Sequence, residues 1–322
     1  MGDIGDAGDM GAPTVVALAG GVGGAKLAEG LAVHLGQRLS VVVNTGDDCE
    51  RHGLLVMPDH DTVLYNVAGI EQTGLGWGIE GDTYAAMDQL AAYGEEAWFR
   101  LGDRDLALHV ARTSRLRAGG RLTDVCLDLQ HALGLSPQIL PMSDDPVRTL
   151  VRTAEGWLGF QEYFVHQRQA PDVLGLRFDG VDAASPTPEV AAALGGASAV
   201  VLCPSNPLVS IGPILAVPGM RTLIAAARAR GVPVAAVSPI IGGRALKGPA
   251  DRMLASLGHE SSALGVARLY ADLVDVFVLD AVDADAVDAV EALGMRTLVT
   301  DTVMTDDASR ARLAGEVLAA LR

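Results

Sequence analysis

Thr14 to Ala19 is a short apolar, partly β-branched run that stops at Gly20-Gly21-Val22-Gly23-Gly24. A helical spacing follows from about Ala25 to Leu35, and a second apolar run spans Ser40 to Asn44. Strand, glycine turn, helix and strand in that order make a βαβ unit with parallel strands. The second half returns to the same alternation. Strand-like runs at Ala197–Cys203, Val232–Val237, Val274–Asp280 and Arg296–Thr300 are separated by helical spacings. These runs are apolar throughout rather than at every second residue, which calls for a parallel sheet covered on both faces.

The middle departs from this pattern. Helical spacing dominates about 62–135, broken by glycines at Gly74–Gly81 and Gly102. Shorter strand-like pieces follow between Ile139 and Tyr163 and at Leu174–Phe178. The expected fold is therefore an α/β three-layer parallel sheet with an inserted, mainly helical subdomain. It forms one domain over 14–322, preceded by a Gly- and Asp-rich mobile tail over 1–13. Aromatics are 4% of the chain while apolar residues are 49%, so the core has to be built from Ala, Val, Leu and Ile.

The formal charge of −16 and the lack of basic patches argue against binding to nucleic acid or to anionic membranes. Backbone N–H groups and a metal ion can still meet the phosphates of a nucleotide on an acidic protein. Cys49, Cys126 and Cys203 form no C-x-x-C pair, so neither a disulfide framework nor a zinc site is expected. There is no run of 18 apolar residues and no basic region before one, and a cytoplasmic protein is expected.

The loops at the ends of the strands hold the candidate chemistry. In Gly20-Gly21-Val22-Gly23-Gly24-Ala25-Lys26 the glycines permit a tight turn and close backbone approach, and the helix start offers free N–H groups to an anion. The spacing is neither G-x-x-x-x-G-K-[ST] nor a complete G-x-G-x-x-G, so an unliganded turn stays open as a reading. Asn44-Thr45-Gly46-Asp47-Asp48 follows the second strand, where paired carboxylates suit Mg²⁺ or simply cap a turn. Pro58-Asp59-His60-Asp61-Thr62 adds acids one loop later. Asp61 or Thr62 could serve as an N-cap, and His60 is expected to face solvent. Around Gly102-Asp103-Arg104-Asp105, with Arg100 just before it, a capped helix with surface ion pairs is favoured over phosphate binding. Ser205-Asn206 and Ser238 to Gly243 end two further strands, and together these loops suggest one long ligand crevice. No Ser/His/Asp order stands out, Cys203 reads as core, and positioning plus metal stabilisation fits phosphoryl-type transfer.

These stretches also carry a resemblance. Ala19 to Lys26, Val43-Asn44-Thr45-Gly46-Asp47-Asp48, Pro58-Asp59-His60-Asp61-Thr62, Gly76-Trp77-Gly78-Ile79, Leu101 to Asp105, Leu140 to Asp145, Pro204-Ser205-Asn206-Pro207 with Ser210 to Ile214, and Ser238 to Gly242 occur in order along the chain. The ordered set resembles the 2-phospho-L-lactate transferases of coenzyme F420 biosynthesis. The resemblance implies a Rossmann-like fold and a homodimer. It implies transfer of a phospho-acyl group from a guanosine diphospho donor to the ribityl hydroxyl of the deazaflavin Fo, with GMP leaving and Mg²⁺ required. By position it implies a metal site and catalytic roles at Asp47 and Asp61, and Fo contacts from Asp61 and Arg100; the mechanism expected from it has a carboxylate, Asp61 or Asp48, orient or deprotonate the Fo hydroxyl. Gly21, Val22, Gly23, Gly24, Lys26, Ser205 and Asn206 would bind the nucleotide and its phosphates. Two rival readings are a nucleotide-sugar-binding regulatory protein of the gluconeogenesis-factor type and an NAD-linked oxidoreductase.

Overall fold

The computed structural model describes residues 14–74 and 76–322, so the tail expected at 1–13 lies outside the described residues. The central sheet has seven parallel strands: β1 Val15–Ala19, β2 Leu39–Val43, β3 Gln138–Pro141, β4 Ala199–Leu202, β5 Val234–Val237, β6 Val276–Asp280 and β7 Arg296–Thr300. Their order across the sheet is β7-β6-β5-β4-β1-β2-β3. The chain thus builds outward from β1 on one side and then crosses over to build outward from β4 on the other. That reversal opens a crevice at the carboxyl ends of β1 and β4, as in dinucleotide-binding folds. The expected Rossmann-like three-layer architecture is the one observed.

Alternate residues of β1 explain the continuous apolar runs. Val16 and Leu18 enter one core with Val200, Leu202 and Ala236. Val15, Ala17 and Ala19 enter the other with Leu27, Leu31, Val41 and Leu313. Both faces are covered, so neither set of side chains can be polar. Each Val or Leu buried this way contributes about 1.5–3 kcal/mol.

Four helices lie between β2 and β3: α2 Pro58–Val67, α3 Ala85–Ala92, α4 Asp103–Arg117 and α5 Leu122–Ala132. They form the expected helical layer. α2 begins at Pro58, which suits a first helical turn because its missing N–H is not needed there. Asp61 and Thr62 therefore lie inside the helix and do not cap it. The extra strands between β3 and β4 form a three-stranded antiparallel sheet, Arg148–Thr153, Gly156–Gly159 and Gly175–Asp179. A π-helical turn, Glu162–His166, follows the second of these. No helix among the described residues is long and apolar enough to cross a membrane.

Candidate active site

The helix after β1, α1, spans Gly21–Leu35 and so starts earlier than the spacing suggests. The glycine run is its first turn. Gly20 is extended at φ −169°, no side chain caps the helix, and Gly21 takes a left-handed φ of 62° that favours glycine. Glycine is required for packing as well. A Cβ on Gly23 would lie 2.3 Å from the Pro204 carbonyl oxygen, and one on Gly24 2.3 Å from Ser205 Oγ. Ser205 Oγ accepts a hydrogen bond from the Gly20 N–H at 3.1 Å. The β1 and β4 loops are thereby locked together at the crevice.

A cleft of about 980 Å³ runs from this junction. Gly21, Val22, Gly23, Lys26, Ser205 and Asn206 line it, while Gly24 serves the contact with Ser205. Lys26 Nζ donates to the Met304 carbonyl at 2.7 Å, and burial together with Arg310 and Lys247 lowers its pKa. Asn206 Oδ1 accepts from the Leu208 N–H at 2.9 Å and so shapes its own loop.

Asn44, at the end of β2, organises the acids. Its Nδ2 donates to Asp47 Oδ1 at 3.0 Å, to Asp59 Oδ2 at 2.9 Å and to the Val209 carbonyl at 3.1 Å. Its Oδ1 accepts from the Gly46 N–H at 2.7 Å. Asp59 also accepts from the Gly21 N–H at the start of α1. Asp47, Asp48 and Asp59 are all buried. Burial, then Asp59 and Asp48, push the Asp47 carboxyl far up. Burial raises Asp48 to about 8 and Asp59 to about 6. Gln161 Nε2 donates to Asp47 Oδ2 at 3.3 Å, and Asp48 Oδ1 has no hydrogen-bond partner. Three buried carboxyls sharing so little positive charge form an oxygen-rich set that fits a hard divalent cation. Asp47 and Asp59 line the cleft, whereas Asp48 does not.

Asp61 sits in the opposite electrostatic setting. Arg112 Nη1 donates to its Oδ2 at 3.0 Å and Arg112 Nη2 bonds its Oδ1, a bidentate pair. Burial works against ionisation, but Arg112, His60 and His109 outweigh it and hold this carboxyl well below the usual range. His60 is 1% exposed and 3.5 Å from Asp61, so the expectation that it faces solvent is wrong. It lies on the inner side of α2, whose residues from Asp59 to Asn66 are all buried. Arg100 lines the cleft, with its guanidinium 4.5 Å from the Tyr84 ring centre and 3.2 Å from Asp88. Arg104 donates to the Glu80 carbonyl, and Asp103 accepts from the N–H groups of Ala85 and Ala86 at the start of α3, so much of this motif is structural.

Residue type alone does not single out Asp59, Asn44, Arg112 or Gln161. Asp59 has a readable signal, since Asp59 and Asp61 are two apart and so face different directions on a helix. Gln161 and Arg112 come from distant segments and have none.

A family model described as 2-phospho-L-lactate transferase CofD matches residues 15–316. The 2-phospho-L-lactate transferase of Methanosarcina mazei is 41% identical over 307 residues, covering 95% of this chain and 100% of that protein. The phosphoenolpyruvate transferase of Streptomyces griseus is 43% identical over 311 residues, covering 94% of this chain and 97% of that protein. A crystal structure of a UPF0052 family protein from Bacillus halodurans matches with a TM-score of 0.63 at 14% identity, over 95% of this chain and 99% of that one, and shows the fold alone. The ordered motifs, the crevice they line and the full-length match agree: the chain is a transferase enzyme and belongs to the 2-phospho-L-lactate transferase CofD family.

Proposed function

We propose that the protein moves a phospho-acyl group of a three-carbon acid from a guanosine diphospho donor to a ribityl hydroxyl of Fo, releasing GMP, as a step of coenzyme F420 biosynthesis. The observation that carries this reading is the junction of two anion-handling devices in one cleft. The uncapped start of α1 meets the Asp47–Asp59 pair, with Asn44 bonded to both acids. A diphosphate needs N–H donors on one side and a cation on the other.

In this reading the N–H groups of Val22 and Gly23 bind the diphosphate, and Lys26 adds positive charge beside them. Asp47 and Asp59 would hold Mg²⁺, with Asp48, whose Oδ1 has no hydrogen-bond partner, close by, and the ion would supply positive charge to the diphosphate. Asp61 keeps the role at the acceptor expected of it, with Arg112 bonded to both of its oxygens. Asp61 stays ionised and accepts a hydrogen bond from the attacking hydroxyl. Phosphoryl transfer runs through a loose transition state, so alignment and charge matter more than a strong base.

The other half of the cleft supports a flat acceptor. Aromatics are only 4% of the chain, yet Trp77, Trp98, Phe99, Phe160 and Phe164 all line the cleft. Rings of this kind stack on conjugated ligands. The regulator reading shares the fold but has no use for this aromatic half.

Mass spectrometry tests the proposal. The protein is mixed with Fo, Mg²⁺ and, in turn, guanosine diphospho adducts of phospholactate, phosphoenolpyruvate and phosphoglycerate. GMP and an Fo adduct are expected with at least one donor. Absence of both products with every donor overturns the proposal.

A further inference from the structure

The motif Gly76-Trp77-Gly78-Ile79 forms a tight bend on the cleft wall. Gly76 and Gly78 both take a left-handed φ of 79°. The Gly76 N–H donates to the Gln72 carbonyl and the Gln72 N–H to the Gly78 carbonyl, each at 3.0 Å, which closes the bend. A second segment comes to meet it. Ile240–Ile241 and Arg244–Ala245 pair as an antiparallel hairpin whose two turn residues, Gly242 and Gly243, have φ of 55° and 78°. Two left-handed residues in a row make the turn that matches the twist of the strands, and glycine permits it. The turn is pinned from outside. The Gly242 N–H donates to the Asp283 carboxylate at 3.1 Å, and Ser261 Oγ donates to the Gly243 carbonyl at 3.0 Å. Leu246, Lys247 and Gly248 leave this anchored hairpin and line the cleft before the helix Ala250–Ser256 begins.

The bend and the hairpin meet at Lys247. A Cβ on Gly76 would lie 2.9 Å from Lys247 Nζ and 3.2 Å from Val22 Cγ2. The ammonium and the Val22 side chain thus border one small space, at the uncapped start of α1. Among the described residues, the side chains lining the cleft that can carry positive charge are Lys26, Arg100, His109 and Lys247. Lys26 donates to the Met304 carbonyl, Arg100 pairs with Asp88, and His109 lies between Asp105 and Asp61. Lys247 has no hydrogen bond or ion pair among the described residues. It stands close enough to Lys26 for the two charges to repel. Like charges kept together cost free energy unless an anion lies between them.

We propose that Lys247 is a specificity-determining residue that binds the carboxylate of the donor's three-carbon acid. This inference rests on the transferase reading above. In that reading the two phosphates have partners in the N–H groups of Val22 and Gly23, in Lys26 and in the cation. The carboxylate, which follows the outer phosphate and sets the donor apart from GDP, has none of these. An ammonium and a carboxylate form a charge-assisted hydrogen bond, roughly twice as strong as a neutral one. Lysine is a compact charge on a flexible stem, so it can reach the carboxylate of a phospholactyl, phosphoenolpyruvyl or phosphoglyceryl unit alike. Lys247 therefore selects for an acid without choosing among the three.

Calorimetric titration of the full chain tests this, with Mg²⁺ present and Fo omitted so that no turnover occurs. The ligands are the guanosine diphospho adduct of phospholactate, its methyl ester, in which the carboxylate charge is masked, and GDP. Wild type is expected to bind the acid about tenfold tighter than the ester. Lys247→Met should bind acid and ester within about twofold of each other, and GDP within about twofold of wild type. Lys247→Arg keeps the charge and should restore most of the preference for the acid. Lys247 is exposed, so these variants are expected to fold, which a thermal melt checks. A Lys247→Met protein that still prefers the acid tenfold overturns the inference. So does one that loses affinity for acid, ester and GDP together, as a phosphate contact would. Wild type that binds acid and ester equally overturns it as well. Wild type that binds none of the three takes down the transferase reading, and this inference falls with it.

Discussion

Gly20 and Asp59 touch: a Cβ built on Gly20 would lie 2.2 Å from Asp59 Oδ2. The last residue before α1 and the first acid of α2 thus share a space that only glycine leaves open. The contact seats the Asp59 carboxylate against the Gly21 N–H and within reach of Asn44.

Gly20→Ala is therefore expected to displace Asp59 from its seat. Activity should fall about 100-fold, the scale associated with a misplacement of about 1 Å. The variant should fold, because the rest of β1 is untouched. Steady-state kinetics together with a thermal melt check both halves, and a fully active Gly20→Ala protein contradicts the role of this contact.

The buried acids make a signed prediction about pH. Asp48 is raised to about 8 and Asp59 to about 6 in the folded protein. An acid whose folded pKa is raised favours folding while protonated, and that contribution is lost as pH rises through the folded value. Metal-free protein should thus lose stability between about pH 4 and pH 8. Mg²⁺ competes with those protons, so its stabilising effect should be larger at pH 8 than at pH 5. Melting curves at both pH values with and without Mg²⁺ measure this, and an equal shift at the two contradicts the site.

Asp47→Asn removes a buried acid and a proposed ligand at once. Metal-free Asp47→Asn should melt higher than wild type, because an uncharged amide avoids the cost of burying an ionisable carboxyl and the repulsion from Asp59 and Asp48. Its activity should drop about 100-fold or more, as seen when a stabilising group for a transition state is removed. Opposite signs for stability and activity mark a functional group. A variant that loses stability and activity together would place Asp47 in the structural scaffold.

One helical turn beyond Lys26, a second buried network ties α1 to the C-terminal helix. Arg310 of the C-terminal helix Asp307–Ala320 bonds Glu29, and its Nη1 donates to Glu71 at 3.1 Å. Burial raises the Glu29 carboxyl to about 7, so removing the arginine leaves it poorly compensated. Arg310→Met should cost about 2 kcal/mol of stability, read by urea unfolding, and a variant as stable as wild type contradicts this role.

Much of this architecture is legible in the residues. The β1 run and the glycine stop after it announce a parallel α/β sheet, because a strand buried on both faces has no polar position to spare. The crevice is legible too, since three glycine- and serine-bearing loops follow strands. What local pattern misses comes from pairings across the chain. The motifs pair Asp47 with Asp61, and both lie in the cleft, but the direct neighbour of Asp47 through Asn44 is Asp59. Arg112 lies 51 residues from Asp61 and looks like any surface arginine of an amphipathic helix until the fold buries it. His60 escapes a local reading for the same reason: α2 carries Asp, His, Thr and Asn, yet its residues from Asp59 to Asn66 are all buried.

The most direct test follows GMP and Fo adduct in one reaction, by chromatography, for wild type and Asp59→Asn with and without Mg²⁺. Wild type with Mg²⁺ is expected to yield GMP and adduct in equal amounts, and the rate should fall about 100-fold or more either on omitting Mg²⁺ or in Asp59→Asn. GMP released without adduct, or full transfer by Asp59→Asn, would contradict a metal-assisted transfer to Fo at this site.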